Sequence, residues 1–104
     1  MLEIISNTTQ KAKKEYYDDG WDEIWGWISG GCHTYDRRNK KIPIPFSELR
    51  MAVKFRNDRK AGAKINIGDE YVRQFNKYDG DAYTWRTKKV FYEWFVKYDL
   101  FPEL

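Results

Sequence analysis

Cysteine and histidine are almost absent from this chain: Cys32 and His33 are the only ones among 104 residues, and they are adjacent. A lone cysteine excludes an internal disulfide and fits a reducing compartment. A structural zinc site needs several Cys or His ligands at paired spacings, so no metal site is expected. No run approaches the ~20 apolar residues of a membrane helix. The start, Met1-Leu2-Glu3-Ile4-Ile5, lacks the charged region and long apolar stretch of a signal peptide. There is no glycine-rich phosphate loop either. Gly30-Gly31 precedes a polar connection, and Gly62 and Gly68 only flank residues 63–67. The expectation is one cytoplasmic domain, without cofactor and not membrane-bound.

What the chain does contain is aromatic. Five Trp, eight Tyr and six Phe supply much of its apolar content, and such rings serve cores and interfaces alike. The net charge of +3 is unevenly spread. Residues 35–64 hold ten Lys/Arg against three acids, whereas residues 1–31 total −3 and residues 65–104 total −1. A charge gathered into thirty residues makes a local field that the overall balance conceals.

The pattern predicts an α+β fold, a small antiparallel hairpin or sheet packed against three to four helices. Residues 2–5 read as a short strand or a tethered end. Asn7-Thr8-Thr9 offers cap chemistry for a helix from Gln10 to about Tyr17. Trp21, Ile24, Trp25 and Ile28 recur at helical spacing, with Gly30-Gly31 as the stop. Residues 32–45 read as a connection, extended at its end by Pro43 and Pro45. A basic helix follows, with Ser47 as N-cap, Phe46 stapled onto Met51, Leu49, Ala52 and Val53 as its buried stripe, and a stop near Gly62. Asp79-Gly80 between two β-prone runs predicts a hairpin. Val90, Phe91, Trp94, Phe95 and Tyr98 predict a final helix closed by Pro102.

No set of residues at this stage suits catalysis. Cys32 has His33 beside it, but neighbouring side chains diverge, and Cys32 fits better as a small apolar filler. Asp18/Asp19 and Asp22/Glu23 read as helix-end and surface charges rather than acid–base pairs. The chain is therefore expected not to be an enzyme. The functional signal is the basic helix with its neighbours. Arg50, Lys54, Arg56, Arg59, Lys60 and Lys64 can neutralise phosphates or acidic side chains. Tyr83 and Trp85 alternate with Arg86 on a strand, where a base could stack beside a phosphate contact. The same charges also fit a solvated helix back whose stems cover the core.

The block Phe46-Ser47-Glu48-Leu49-Arg50-Met51-Ala52-Val53-Lys54 is followed by Lys64-Ile65, Gly68, Tyr71, Arg73-Gln74, Asp79-Gly80, Tyr83-Thr84-Trp85 and Lys97-Tyr98-Asp99-Leu100-Phe101-Pro102. Together with Lys11-Ala12-Lys13-Lys14-Glu15 upstream, these motifs span about ninety residues and resemble a group of small phage and prophage proteins of zinc-finger-like character. Where that resemblance implies a cysteine motif, this chain has Tyr17-Asp18-Asp19-Gly20-Trp21; where it implies further ligands, the chain has Lys88 and Phe95. The resemblance thus implies a degenerate finger with aromatic packing in place of metal. It also implies a phage context, in which small proteins mask sites on a host protein or ribonucleoprotein complex, CRISPR effectors included. The expected function is such a binding protein, an anti-defence inhibitor such as an anti-CRISPR included; the alternative is an accessory protein that binds DNA or RNA through the basic helix and hairpin.

Overall fold

In the computed structural model, which describes residues 2–101, the chain runs β1 (Leu2–Lys11), β2 (Tyr16–Tyr17), α1 (Trp21–Ser29), β3 (His33–Tyr35), β4 (Lys41–Pro43), α2 (Phe46–Asn57), α3 (Arg59–Ala63), β5 (Lys64–Ile65), β6 (Glu70–Tyr78), β7 (Asp81–Lys88) and α4 (Lys89–Tyr98). The α+β expectation holds. An antiparallel sheet of order β1-β6-β7 is joined by two short ribbons, β2-β5 and β3-β4. The hairpin turns where its dipeptide predicts: Asp79 and Gly80 both have positive φ, 48° and 90°, as a type I′ turn requires. Pro102 lies outside the described residues.

Several expectations fail locally. Gln10 to Tyr17 is not helical: β1 runs through Lys11, pairs with β6 from Gln10↔Tyr71 back to Leu2↔Tyr78, and shifts register between Ile4 and Ser6. Asn7, Thr8 and Thr9 are thus strand residues, because pairing with a distant strand outweighs weak local helix preference. Residues 32–45 contain the β3–β4 ribbon rather than a bare connection. Ser47 does not cap α2; Pro45 holds that place, and no side chain bonds the helix start. The Phe46–Met51 staple is replaced by exposure, with Phe46 73% and Met51 45% accessible. The basic helix is also broken. Asp58, at φ −121° and ψ 83°, ends α2 and accepts a hydrogen bond from the Ala61 N–H as the cap of α3.

The core is largely aromatic. Trp21, Ile24 and Ile28 of α1 meet Phe91, Trp94 and Phe95 of α4, joined by Ala52, Cys32 and Ile44. Phe55 packs edge-on to Phe91 at 4.9 Å between centroids, and Trp27 lies between Trp94 and Tyr98. Burying such rings contributes roughly 1.5–3 kcal/mol each. On the sheet, Val72, Gln74 and Asn76 share one buried face, and Asn7 on β1 donates to the Tyr92 hydroxyl of α4 at 2.8 Å.

Asp18 overturns its reading as a surface charge: it is 0% exposed. Its carboxylate accepts from Thr87 Oγ1 at 2.6 Å, Lys88 N at 2.9 Å and Gly20 N at 3.0 Å, and pairs with Lys88 Nζ at 3.4 Å. Lys88 Nζ also donates to the Gly62 carbonyl at 2.7 Å. Burial pushes the Asp18 carboxyl above its ordinary value despite the Thr87 and Lys88 bonds. Burial likewise pushes the Lys88 amine down against the attraction of Asp18. A carboxyl with a raised folded pKa binds its proton more tightly folded than unfolded, so its protonation favours the fold as pH falls through that raised value. Lys88→Met leaves Asp18 charged and unpaired. Urea denaturation at neutral pH is expected to show a loss of about 3–5 kcal/mol, and the gap to the unaltered protein should narrow on acidification as Asp18 protonates. A pH-independent gap would assign the loss to packing instead.

Candidate functional site

The expected basic surface exists, but it is two surfaces. Successive helical residues turn by about 100°, so Arg50 and Lys54 share one side of α2 while Arg56 lies on another. Arg50 and Lys54, with Ser47 and Met51, form one bank of a groove of about 780 Å3. Lys88, Lys89 and Val90 line it from the β7–α4 side, with Phe55, Ala61, Asn66, Asp69 and Glu70 completing the lining. Lys89 pairs with Glu70 at 3.2 Å, and Lys88 is held by Asp18. Among the groove cations, Arg50 and Lys54 are exposed and have no carboxylate partner among the described residues.

Arg56 is exposed, and its charge acts on Cys32, opposing the burial that raises that thiol. Arg59 lies 4.3 Å over the Trp25 ring of α1, a stack that desolvates one face of each group. Lys60 is exposed on α3. Lys64 is exposed as well and lies 3.8 Å from Glu15.

The hairpin residues do not gather. Strand alternation puts Tyr83 and Trp85 on one face and Arg86 on the other. Trp85 packs edge-on against Phe95 at 5.6 Å and near Phe101 at 6.4 Å. Arg86 lies 4.4 Å over Tyr16, which itself packs on Tyr71 at 5.5 Å. Tyr83 is 42% exposed. The expected base-stacking platform beside a phosphate contact is therefore not assembled, since its rings and its cation serve two different faces.

The groove's far bank was missed by sequence reasoning. Its signal is the Lys88-Lys89 doublet at the end of a strand and the start of a helix, which reads in sequence as a solvated junction. The α2 bank is fixed to α4 by Glu48, which accepts from Lys97 Nζ at 2.9 Å and from the Tyr98 hydroxyl. Burial opposes the charge of Glu48, but those bonds hold its carboxyl below the ordinary range.

Among the described residues, no group of three or more His, Cys, Asp or Glu is placed to hold a metal ion, and no helix is long and apolar enough to cross a membrane. Asp18 pairs with Lys88, and Gly20 packs against Phe95. No family model, curated protein or solved structure matches this chain. The phage resemblance therefore rests on its own short blocks.

Cys32 is buried in the core, its thiol 3.9 Å from the Ile28 carbonyl, and burial raises its pKa. A thiol of this kind is inert until exposed. Disulfide-exchange reagents should label Cys32 slowly in the native protein, at a rate that follows unfolding, and chelators should leave the melting temperature unchanged. Fast labelling of the folded chain would mean that the α1 end opens independently.

Proposed function

We propose that this chain is a non-enzymatic binding protein that masks an acidic site on a host protein or ribonucleoprotein, using the α2 side of the groove. The observation that carries this reading is the composition of that side. Arg50 and Lys54 stand beside exposed Phe46 and Met51. Arginine, aromatic and methionine side chains are the usual anchors of protein interfaces, with cations selecting an acidic partner. The phage resemblance supplies the class of target, host machinery such as a defence complex, with CRISPR effectors among the candidates.

Binding is favoured over catalysis because the buried carboxylate Asp18 is spent. Asp18 has hydrogen bonds from Gly20, Thr87 and Lys88 and no exposed surface, so it offers no face to a substrate. The nucleic-acid alternative loses its hairpin platform and keeps only the basic helices.

The test separates both the surfaces and the partners. Tagged protein is used to capture targets from bacterial lysate with and without nuclease, and affinity is then measured for the captured protein. Arg50→Glu with Lys54→Glu is expected to weaken binding at least tenfold, about the loss of one strong interface anchor. Arg56→Glu with Arg59→Glu and Lys60→Glu, on the other surface, should weaken it less. Both variants should keep the native circular dichroism, since their changes are on exposed positions. Capture that vanishes with nuclease, and affinity for DNA or RNA that falls steeply with salt, would give the function to nucleic acid instead. Full affinity in the Arg50/Lys54 variant would remove the groove from the site.

A further inference from the structure

The two edges of the main sheet are finished differently. In a two-residue hairpin the residues flanking the turn exchange both backbone hydrogen bonds, so Tyr78 and Asp81 form such a pair. Following the register from there, Trp85 and Thr87 turn their backbone groups toward β6, while Arg86 and Lys88 turn theirs outward. That outer edge is closed near its end. Asp19 N donates to Arg86 O at 2.8 Å, Arg86 N donates to Asp19 Oδ2 at 2.8 Å, and Lys88 N donates to Asp18 Oδ2 at 2.9 Å.

The same alternation across β6 turns Tyr71, Arg73 and Phe75 toward β1, where they pair with Gln10, Thr8 and Ser6. The backbone groups of Asn7 and Thr9 consequently point away from the sheet, and no described residue bonds them. Proteins guard such an edge with charge, proline or a bulge. Here Ser6, Asn7, Thr8, Thr9 and Gln10 are all exposed and uncharged, with no proline among them. The register shift lies at one end, between Ile4 and Ser6.

We propose that β1 pairs antiparallel with β1 of a second copy, about a twofold axis at Thr8, joining the two three-stranded sheets into one. The strand is complementary to itself in this register. Outward groups meet outward groups, with Asn7 opposite Thr9 twice; Thr8 faces Thr8, and Ser6 faces Gln10. No charge meets charge, and hydroxyl and amide pairs of this kind are favourable neighbours across strands. Lys11 is carried to the far end of the partner strand, opposite Ile5, which is 54% exposed and can cover the lysine stem. A second copy is the occupant that the edge itself specifies, because a twofold contact needs no surface beyond this one. The ladder is short, so the dimer is weak and forms with concentration.

Sedimentation equilibrium of the full chain over about a hundredfold concentration range should show the mass rising toward twice the monomer. Amide exchange at Asn7 and Thr9 should slow with concentration, whereas Arg86 and Lys88 should be protected throughout. Thr9→Pro removes an outward N–H and leaves the β1–β6 bonds in place. Thr8→Glu keeps every backbone group, sits opposite Arg73 on β6, and sets two carboxylates face to face at the axis. Both should raise the dissociation constant at least tenfold, with Thr8→Glu retaining native circular dichroism. A monomer at every concentration overturns the proposal, as does a dimer that Thr8→Glu leaves intact.

Discussion

One buried carboxylate holds three parts of this fold in place. Asp18 sits in the loop ahead of α1, and its partners belong to the β7–α4 junction, with Gly62 of α3 drawn in through the Lys88 amine. Taking both charges out of water is costly, and their attraction compensates only when further hydrogen bonds complete the site. The surroundings show how tightly that site is closed. A Cβ at Gly62 would lie 2.0 Å from the Trp21 ring, and one at Gly20 would lie 2.6 Å from Thr87 Oγ1 and 2.8 Å from Phe95. Both positions need glycine for space rather than for backbone freedom, since neither has a positive φ. The ion pair thus sets where α1 can begin and how closely α3 approaches it.

The aromatic web follows from that placement. A chain of this length buries only about two-thirds of its unfolded surface, so the area gained per buried residue matters. Large rings on α1 and α4 supply it, each touching several others: Phe91 meets Trp21, Phe55 and Trp94. Phe55 brings α2 onto this layer from one side only. Beside Phe55, Arg50, Met51 and Lys54 line the groove from α2, and exposed Phe46 lies against Arg50.

What was legible in the sequence was local. Trp21 to Ile28 and Val90 to Tyr98 announce their helices because one stripe of each packs in the core, and Asp79-Gly80 announces its turn because few residues tolerate positive φ at both positions. β1 was illegible for the converse reason. Its partner strand begins some sixty residues later, and Asn-Thr-Thr carries cap chemistry as readily as strand preference. Asp18 gave no sign of burial, since the groups that satisfy it lie in another part of the chain. The basic residues were legible as a set, but their division into a groove bank and an α1 side was not. It depends on the break at Asp58 and on which face of α2 meets Phe91.

The helix α2, which carries the candidate site, is less deeply anchored than α1 and α4. Only Ala52 of α2 is fully buried, whereas α1 and α4 each bury three large side chains. Its main polar tie is Glu48, held to Lys97 and Tyr98 of α4. Elements with few buried groups open at lower free-energy cost than the core they rest on. The two sides of the groove thus differ in how they are held: the α2 side rests on few buried groups, whereas Lys88 on the β7–α4 side is fixed in the buried pair with Asp18.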